Sequence, residues 1–148
     1  MNKKIVIVDI DGTISKVGDR LKHLKETPKN WDKFYERCGE DQPEKDIIEL
    51  IQFLQMKYKI IFLSGRREST RKTTADWIGA HVQLDDSATL YLRKNNDLRH
   101  DTEVKPDLLK ESGIDICKIA FILEDRDSMV NKWREMGMRV LQVAAGDF

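Results

Sequence analysis

Short apolar runs alternate with amphipathic stretches along this chain. Ile5-Val6-Ile7-Val8 is β-branched throughout and reads as a strand over residues 4–8, buried on both faces. Residues 46–55 set Ile47, Ile48, Leu50, Ile51 and Leu54 on one stripe at helical spacing, and the run from Tyr58 to Leu63 restarts as a strand. The same pattern predicts a helix over 70–80, a short strand over 89–93, and a helix over 106–111 opened by Pro106 in its first turn. A strand over 119–123, a helix over 128–136 stopped by Gly137 and a strand over 139–143 complete the series. Strands alternating with helices predict an α/β fold, a Rossmann-like three-layer α/β/α arrangement with a parallel sheet. Trp77 and Trp133 fall on the sheet-covering helices and are expected in the core. Residues 15–43 break the alternation with polar residues and one aromatic helix, 31–37. They read as a small cap insertion after the first strand, lying over whatever the strand ends form.

Composition narrows the possibilities. At 148 residues, with 40% hydrophobic and 35% charged positions, the chain suits one domain, residues 1–148, with a full core. Lys plus Arg and Asp plus Glu number 26 each, so the formal net charge is zero. A long nucleic-acid footprint would need a clustered positive surplus, so any polynucleotide contact is expected to be short. No biased tract suggests a linker or disorder. Cys38 and Cys117 lie far apart without metal-like spacing and are expected to stay unpaired. Four apolar residues before Asp9 fall short of a signal peptide or membrane span, so the expectation is a cytoplasmic protein without membrane contact.

Chemistry gathers where the strands end. Asp9-Ile10-Asp11-Gly12-Thr13 follows the first strand directly, Ser64-Gly65-Arg66 follows the second, and Glu124-Asp125 follows the fourth. Buried ionised oxygens are costly unless paired or bound to a metal, and ligands of open α/β sheets sit outside the carboxyl ends of the strands. Each constellation alone has a plain reading, Ser-Gly as a turn and an acidic pair as a helix cap. Together, and with Lys105-Pro106 at a helix start, they supply a candidate nucleophile, an acid, a hydroxyl donor, a cation and metal-binding carboxylates. His23, His81 and His100 form no ligand cluster; only His100 lies in a segment expected to meet substrate.

These residues resemble the four motifs of the haloacid dehalogenase superfamily of phosphohydrolases, whose first motif is a hydrophobic strand ending in Asp-x-Asp-Gly-Thr. The resemblance spans nearly the whole chain and implies the family's HAD-like fold. It places the second motif on Ser64, the third on Lys105, with Lys118 as the rival, and the fourth on Glu124 and Asp125. It implies Asp9 as a nucleophile forming an aspartyl-phosphate, and Asp11 as the acid that protonates the leaving oxygen and then activates water. It implies Mg²⁺ held by Asp9, the backbone carbonyl of Asp11 and Asp125, because a doubly negative phosphomonoester must be neutralised before a carboxylate attacks. Gly12 would permit a sharp turn, while Thr13, Ser64-Gly65 and Lys105 would hold the transferring oxygens. Glu124 departs from the Asp usual among closer relatives, which leaves its part in metal binding open.

Three segments look more narrowly like the 3′-phosphatase domain of phage polynucleotide kinase/phosphatase. They are Phe62 to Arg66 with the helix through Trp77, Arg93 to Lys105 around Asp97-Leu98-Arg99-His100-Asp101, and Glu124-Asp125-Arg126 through to Asp147-Phe148. This resemblance implies that Arg66 and Arg99 contact phosphate or flanking backbone, which guanidinium forks suit, and that Asp101 orients one of the cations. A solvated helix face formed by Arg66, Arg67, Arg71 and Lys72 is the plainer alternative. Trp31, Phe34 and Tyr35 either stack on a base or make an ordinary apolar helix face. No Gly-x-x-x-x-Gly-Lys-Ser/Thr loop occurs, so kinase chemistry is not expected here, and a separate kinase or ligase is a candidate partner. The expected substrate is a DNA or RNA 3′-phosphate end. The alternatives are a small (deoxy)nucleotide or, without catalysis, a module that binds phosphorylated ends.

Overall fold

The structure, a computed structural model, describes residues 4–86 and 88–148. Five strands, β1 (Ile5–Val8), β4 (Lys59–Arg67), β5 (Thr89–Arg93), β6 (Ile119–Glu124) and β7 (Val140–Gln142), form one parallel sheet in the order β5-β4-β1-β6-β7. A second, two-stranded sheet pairs β2 (Ser15–Lys16) with β3 (Gln42–Pro43). The β-branched run of β1 suits its central place, because both faces are covered. Val6 and Val8 pack with Ile48 and Ile51 of α2 (Lys45–Leu54) and Trp77 and Ile78 of α3 (Arg71–His81). Ile5 and Ile7 pack on the other side with Leu109 of α4 (Asp101–Glu111) and Met129, Val130 and Trp133 of α5 (Asp127–Glu135). The result is the expected three-layer α/β/α arrangement, with Trp77 and Trp133 buried.

Register decides where the chemistry falls. Val8 pairs with Phe62 of β4 and with Leu123 of β6, so Asp9, Ser64 and the Glu124-Asp125 pair leave the sheet at one carboxyl edge. The β4–β5 pairing shifts between Ser64 and Arg67, an irregularity that takes Gly65 and Arg66 out of the ladder.

Two differences from the sequence reading have local causes. Helix α4 begins at Asp101, not at Pro106, because the His100 side chain accepts the Thr102 amide as an N-cap and Asp101 and Glu103 stand in the first turn. Pro106 therefore sits inside the helix and removes one backbone donor there. Strand β4 also runs on to Arg67, beyond the apolar stretch.

Residues 15–43 leave and return through the β2–β3 pair. Between them lie a 3₁₀ turn at Gly18–Leu24 and α1 (Trp31–Glu36), capped by Asn30 accepting the Lys33 amide at 3.1 Å. Val17, Leu24 and Phe34 form a small apolar cluster there, joined by Trp31, Tyr35 and Phe148.

Candidate active site

Asp9 stands at the end of β1, its amide donating to the Leu123 carbonyl at 3.0 Å. Lys105, 2% exposed on α4, reaches across to it: Nζ lies 2.7 Å from Asp9 Oδ1 and 2.8 Å from Glu124 Oε2. The other oxygen of Glu124 accepts the backbone amides of Asp125 and Arg126, so this carboxylate anchors the lysine. Thr13 Oγ1 lies 3.1 Å from Asp9 Oδ2 and 3.3 Å from Asp125 Oδ1. Asp9, Glu124 and Asp125 are all buried and bring carboxylate oxygens within 4.8 Å of one another.

Three carboxylates around one ammonium leave two negative charges uncompensated when all are ionised. Burial and then the Asp9 charge push both Asp125 and Glu124 above the ordinary carboxylate range. Burial works against the Lys105 charge, yet Asp9 and Glu124 hold its ammonium well above the usual lysine range. A buried, electron-rich set of hard oxygen donors fits a divalent cation. Gly12 closes that corner: its φ is +84°, and a Cβ on it would lie 2.1 Å from Asp125 Oδ2. Only glycine admits both the conformation and the approach.

Asp11 belongs to a different network. Arg66, fully buried, points Nε and Nη2 at the Asp11 carboxylate, with Nη2 2.7 Å from Oδ1, and gives Nη1 to Thr74 Oγ1 at 3.1 Å. Arg20, from the 3₁₀ turn of residues 18–24, donates Nη2 to the same Oδ1 at 2.7 Å. Burial would raise the Asp11 carboxyl, but the Arg66 and then the Arg20 guanidinium hold it well below the ordinary range. Asp41 accepts from both arginines.

The residues singled out in the sequence thus separate. Asp9, Asp11, Ser64, Gly65, Arg66, Asp101, Lys105, Glu124 and Asp125 line one pocket of ≈ 20 Å³, with Thr13 bonded to its carboxylates. Ser64 accepts the Arg66 amide at 3.1 Å. Gly65 is needed where it is, since a Cβ would meet Asp101 Oδ1 at 2.4 Å. Arg66 is not solvated; it lines the pocket with its guanidinium bonded to Asp11, Thr74 and Asp41. Arg71 and Lys72 do lie on an exposed face, paired with Glu68 and Asp76. Arg99 is not in this pocket. It pairs with Asp97 and Asp107 and lines a neighbouring groove of ≈ 690 Å³.

Groove and pocket share Trp31, Tyr35, Asp101 and Arg126. Of the three aromatics in α1, Phe34 is core, whereas Trp31 and Tyr35 stack at 6.1 Å between centroids and face both cavities. Tyr35 donates its hydroxyl to the Gly65 carbonyl at 3.1 Å. Segment 15–43 therefore forms a side wall of the site, pinned to its floor. Asp101 pairs with Arg93 and, at 3.0 Å, with Arg126, whose Nε donates to the Phe148 carbonyl. Arg20 and Asp41 have no reading from the sequence; Arg93 and Arg126 fall in the family-like segments named there, but without a role of their own.

Residues 3–148 match the family model of the polynucleotide kinase PNKP phosphatase domain. Among solved structures, a chain of the Pnkp1/Rnl/Hen1 complex aligns with a TM-score of 0.80 and 30% identity over 99% of this chain and 47% of its own length. A second structure, of the Pnkp1/Rnl/Hen1 RNA repair complex, aligns equally well, with 44% of that chain covered. This chain thus spans about half the length of those relatives. A protein from Clostridium difficile (TM-score 0.66, 12% identity, 96% of this chain and 85% of that one) shares the fold. So does a haloacid dehalogenase-like hydrolase from Streptococcus pneumoniae (TM-score 0.62, 16% identity, 95% and 84%). By a match that runs through nearly its whole length, the chain belongs to the polynucleotide kinase PNKP phosphatase domain family, within the haloacid dehalogenase-type hydrolases.

Proposed function

We propose that this protein is a Mg²⁺-dependent phosphomonoesterase that removes 3′-phosphates from polynucleotide ends through an aspartyl-phosphate on Asp9. The observation that carries this reading is the constriction at Asp9. A pocket of ≈ 20 Å³ is about the space one water needs, so Asp9 stands at a constriction with no room for sugar or base. The adjoining ≈ 690 Å³ groove, within the size range of small-ligand sites, is the space open to them. There Trp31 and Leu98 offer apolar surface and Lys29, Arg67, Arg99 and Arg126 offer cations.

An Asp9 oxygen attacks phosphorus, the bond from phosphorus to the 3′ oxygen breaks, and that oxygen takes a proton from Asp11. Water then attacks the phosphoryl group and gives its proton back to Asp11, and the acyl phosphate bond breaks to release inorganic phosphate. Asp11 Oδ1 already accepts from Arg20, Arg66 and Ser15, whereas among the described residues Oδ2 accepts only Arg66 Nε at 3.1 Å, so we assign the proton to Oδ2. Resting Asp11 is ionised, the form the second step needs; it takes up a proton as the dianionic substrate enters and offsets the two guanidiniums. Thr13, Ser64 and Lys105 are the donors for the transferring oxygens, and Lys105 keeps Asp9 oriented. Asp9, Asp125, the Asp11 carbonyl and, on the clustering above, Glu124 are the candidates to hold Mg²⁺, which when bound supplies charge neutralisation at the phosphoryl group.

The 30%-identical relatives come from structures of a Pnkp1/Rnl/Hen1 complex, one of them described as an RNA repair complex, which supports an end-repair role beside a separate kinase or ligase. A second reading, hydrolysis of free nucleotides, draws support from the groove arginines being paired already with acids. The test is phosphate release from a 3′-phosphorylated oligonucleotide and from matched nucleoside monophosphates, with Asp9→Asn alongside. Release from the oligonucleotide, weakening steeply with salt and absent in the variant, is expected. Preference for mononucleotides would replace the polynucleotide reading.

A further inference from the structure

Residues 142–148 run from the last strand back across the turn that carries Asp125, and no step above uses them. We infer that Phe148 is a positioning residue that sets the Arg126 guanidinium to take the phosphodiester next to the 3′ end of the substrate. The inference rests on the polynucleotide reading and names the contact by which the site tells a chain end from a lone phosphate.

The segment lies on Glu124–Asp127 residue by residue. The Val143 amide donates to the Glu124 carbonyl at 3.1 Å, the Gln142 side-chain amide to the Asp125 carbonyl at 2.9 Å, and the Asp127 amide to the Gly146 carbonyl at 2.6 Å. At Gly146 the two backbones touch. A Cβ there would lie 2.7 Å from the Asp125 carbonyl oxygen and 2.9 Å from Arg126 Cα, so only glycine lets the segment down onto the turn. That approach delivers Phe148 to Arg126, whose Nε donates to the Phe148 carbonyl and whose guanidinium lies 5.3 Å from the Phe148 ring centroid, within cation–π reach. The ring is held in turn, packed against the Val17, Leu24 and Phe34 cluster of segment 15–43.

Two edges of Arg126 are thus occupied and a third is not. Nε is on Phe148, Nη1 donates to Asp101 Oδ2 at 3.0 Å, and among the described residues nothing accepts from Nη2. Asp101 also accepts from Arg93, so a single carboxylate serves two guanidiniums and the trio keeps a net positive charge. Arg126 lines both the pocket and the groove, which puts its unused edge at their junction. The reacting phosphoryl group has Thr13, Ser64 and Lys105 as donors, whereas an anion in the groove just outside, where the chain continues past its terminal nucleotide, has none of these. A free guanidinium edge suits such a phosphate. Ordering a long side chain on binding costs affinity, and Phe148 with Asp101 orders this one beforehand.

The experiment uses two probes, a 3′-phosphorylated oligonucleotide and the same molecule with a neutral methylphosphonate replacing the phosphodiester nearest the 3′ end. In wild type the neutral linkage is expected to lower kcat/KM by roughly 10- to 100-fold, the worth of a hydrogen bond between charged groups, with the loss in KM. Arg126→Ala should bring the two probes within about threefold of each other. Phe148→Leu keeps the backbone carbonyl and an apolar side chain but removes the ring face, so the ratio between probes is expected to shrink by about threefold or more. Phe148→Tyr keeps the face and should retain the ratio. A merely structural role would lower both probes alike and leave the ratio where it was, because kcat/KM per mole of protein scales with the folded fraction. A wild type indifferent to the methylphosphonate, or a ratio unmoved by Arg126→Ala, would overturn the phosphodiester contact. A ratio unmoved by Phe148→Leu, or lost equally in Phe148→Tyr, would overturn the role of Phe148. Absence of phosphate release from either oligonucleotide by wild type would instead overturn the polynucleotide reading beneath both.

Discussion

Replacing Lys105 with methionine keeps the length and apolar stem of the side chain and deletes its charge. The structure gives that charge two buried partners, Asp9 Oδ1 at 2.7 Å and Glu124 Oε2 at 2.8 Å, on side chains 8% and 1% exposed. Removing one partner of a buried pair costs about 3–5 kcal/mol. Two carboxylates share this cation, so the loss belongs in the upper part of that range, about 4–5 kcal/mol at neutral pH in EDTA. Urea unfolding followed by the fluorescence of Trp31, Trp77 and Trp133 measures it; with a slope of about 2 kcal/mol per molar, the midpoint falls by roughly 2 M. Two companion results are expected. The deficit shrinks as pH falls toward 4, because the Glu124 carboxyl, already pushed above the ordinary range by burial, can then protonate, and it shrinks when Glu124→Gln is added, because that charge is gone. Mg²⁺ narrows it as well, by supplying the missing positive charge. A loss under about 1 kcal/mol, or one indifferent to pH and to Glu124→Gln, would refute the view of Lys105 as the charge that makes the acidic pocket tolerable.

Gly12→Ala forces a Cβ into a left-handed residue and onto Asp125 Oδ2; the backbone term alone costs about 1–2 kcal/mol, and thermal melts should show a larger loss together with weaker Mg²⁺ binding by calorimetry. Ser128→Ala removes a buried hydroxyl that has no hydrogen-bond partner among the described residues, so it should be neutral or stabilising by up to about 1 kcal/mol in urea. Asp11→Asn tests the electrostatics of its pairing with Arg20 and Arg66. The folded carboxyl of Asp11 titrates below its ordinary value of 3.8, so its contribution to stability is complete above that pH and is lost as pH falls below it. The variant should therefore be less stable than wild type at pH 7, with the gap closing in acid; a gap that stays constant down to pH of about 2 would contradict the ion pairing.

What could be read from the sequence was what is local along it. An apolar run that stops on Asp9-x-Asp11, and another that stops on Glu124-Asp125, announces a strand end carrying carboxylates without any knowledge of the third dimension. Lys105 was placed by its family likeness, but its helix was begun five residues late, because the Pro106 signal outweighed the weaker cap at His100-Asp101. Arg66 is legible as a residue beside the site, but nothing in Ser64-Gly65-Arg66 says that its guanidinium pairs with Asp11. Arg20 and Asp41 were invisible for a stronger reason. Each is one charge among several in a polar stretch, 21 residues apart, and their bond exists only because β2 and β3 bring the two ends of that stretch together.

The central position of β1 has a consequence for how the molecule behaves short of unfolding. Its amides and carbonyls are tied to β4 on one side and β6 on the other, so they are expected to exchange hydrogen only when the whole sheet opens, whereas residues 25–29, exposed and outside any helix or strand, are expected to open on their own. Asp9 and Asp125 consequently belong to one cooperative unit, and the groove wall belongs to a looser one. As temperature or denaturant rises, substrate capture should fail first, seen as a rising KM, while kcat holds until the sheet itself melts.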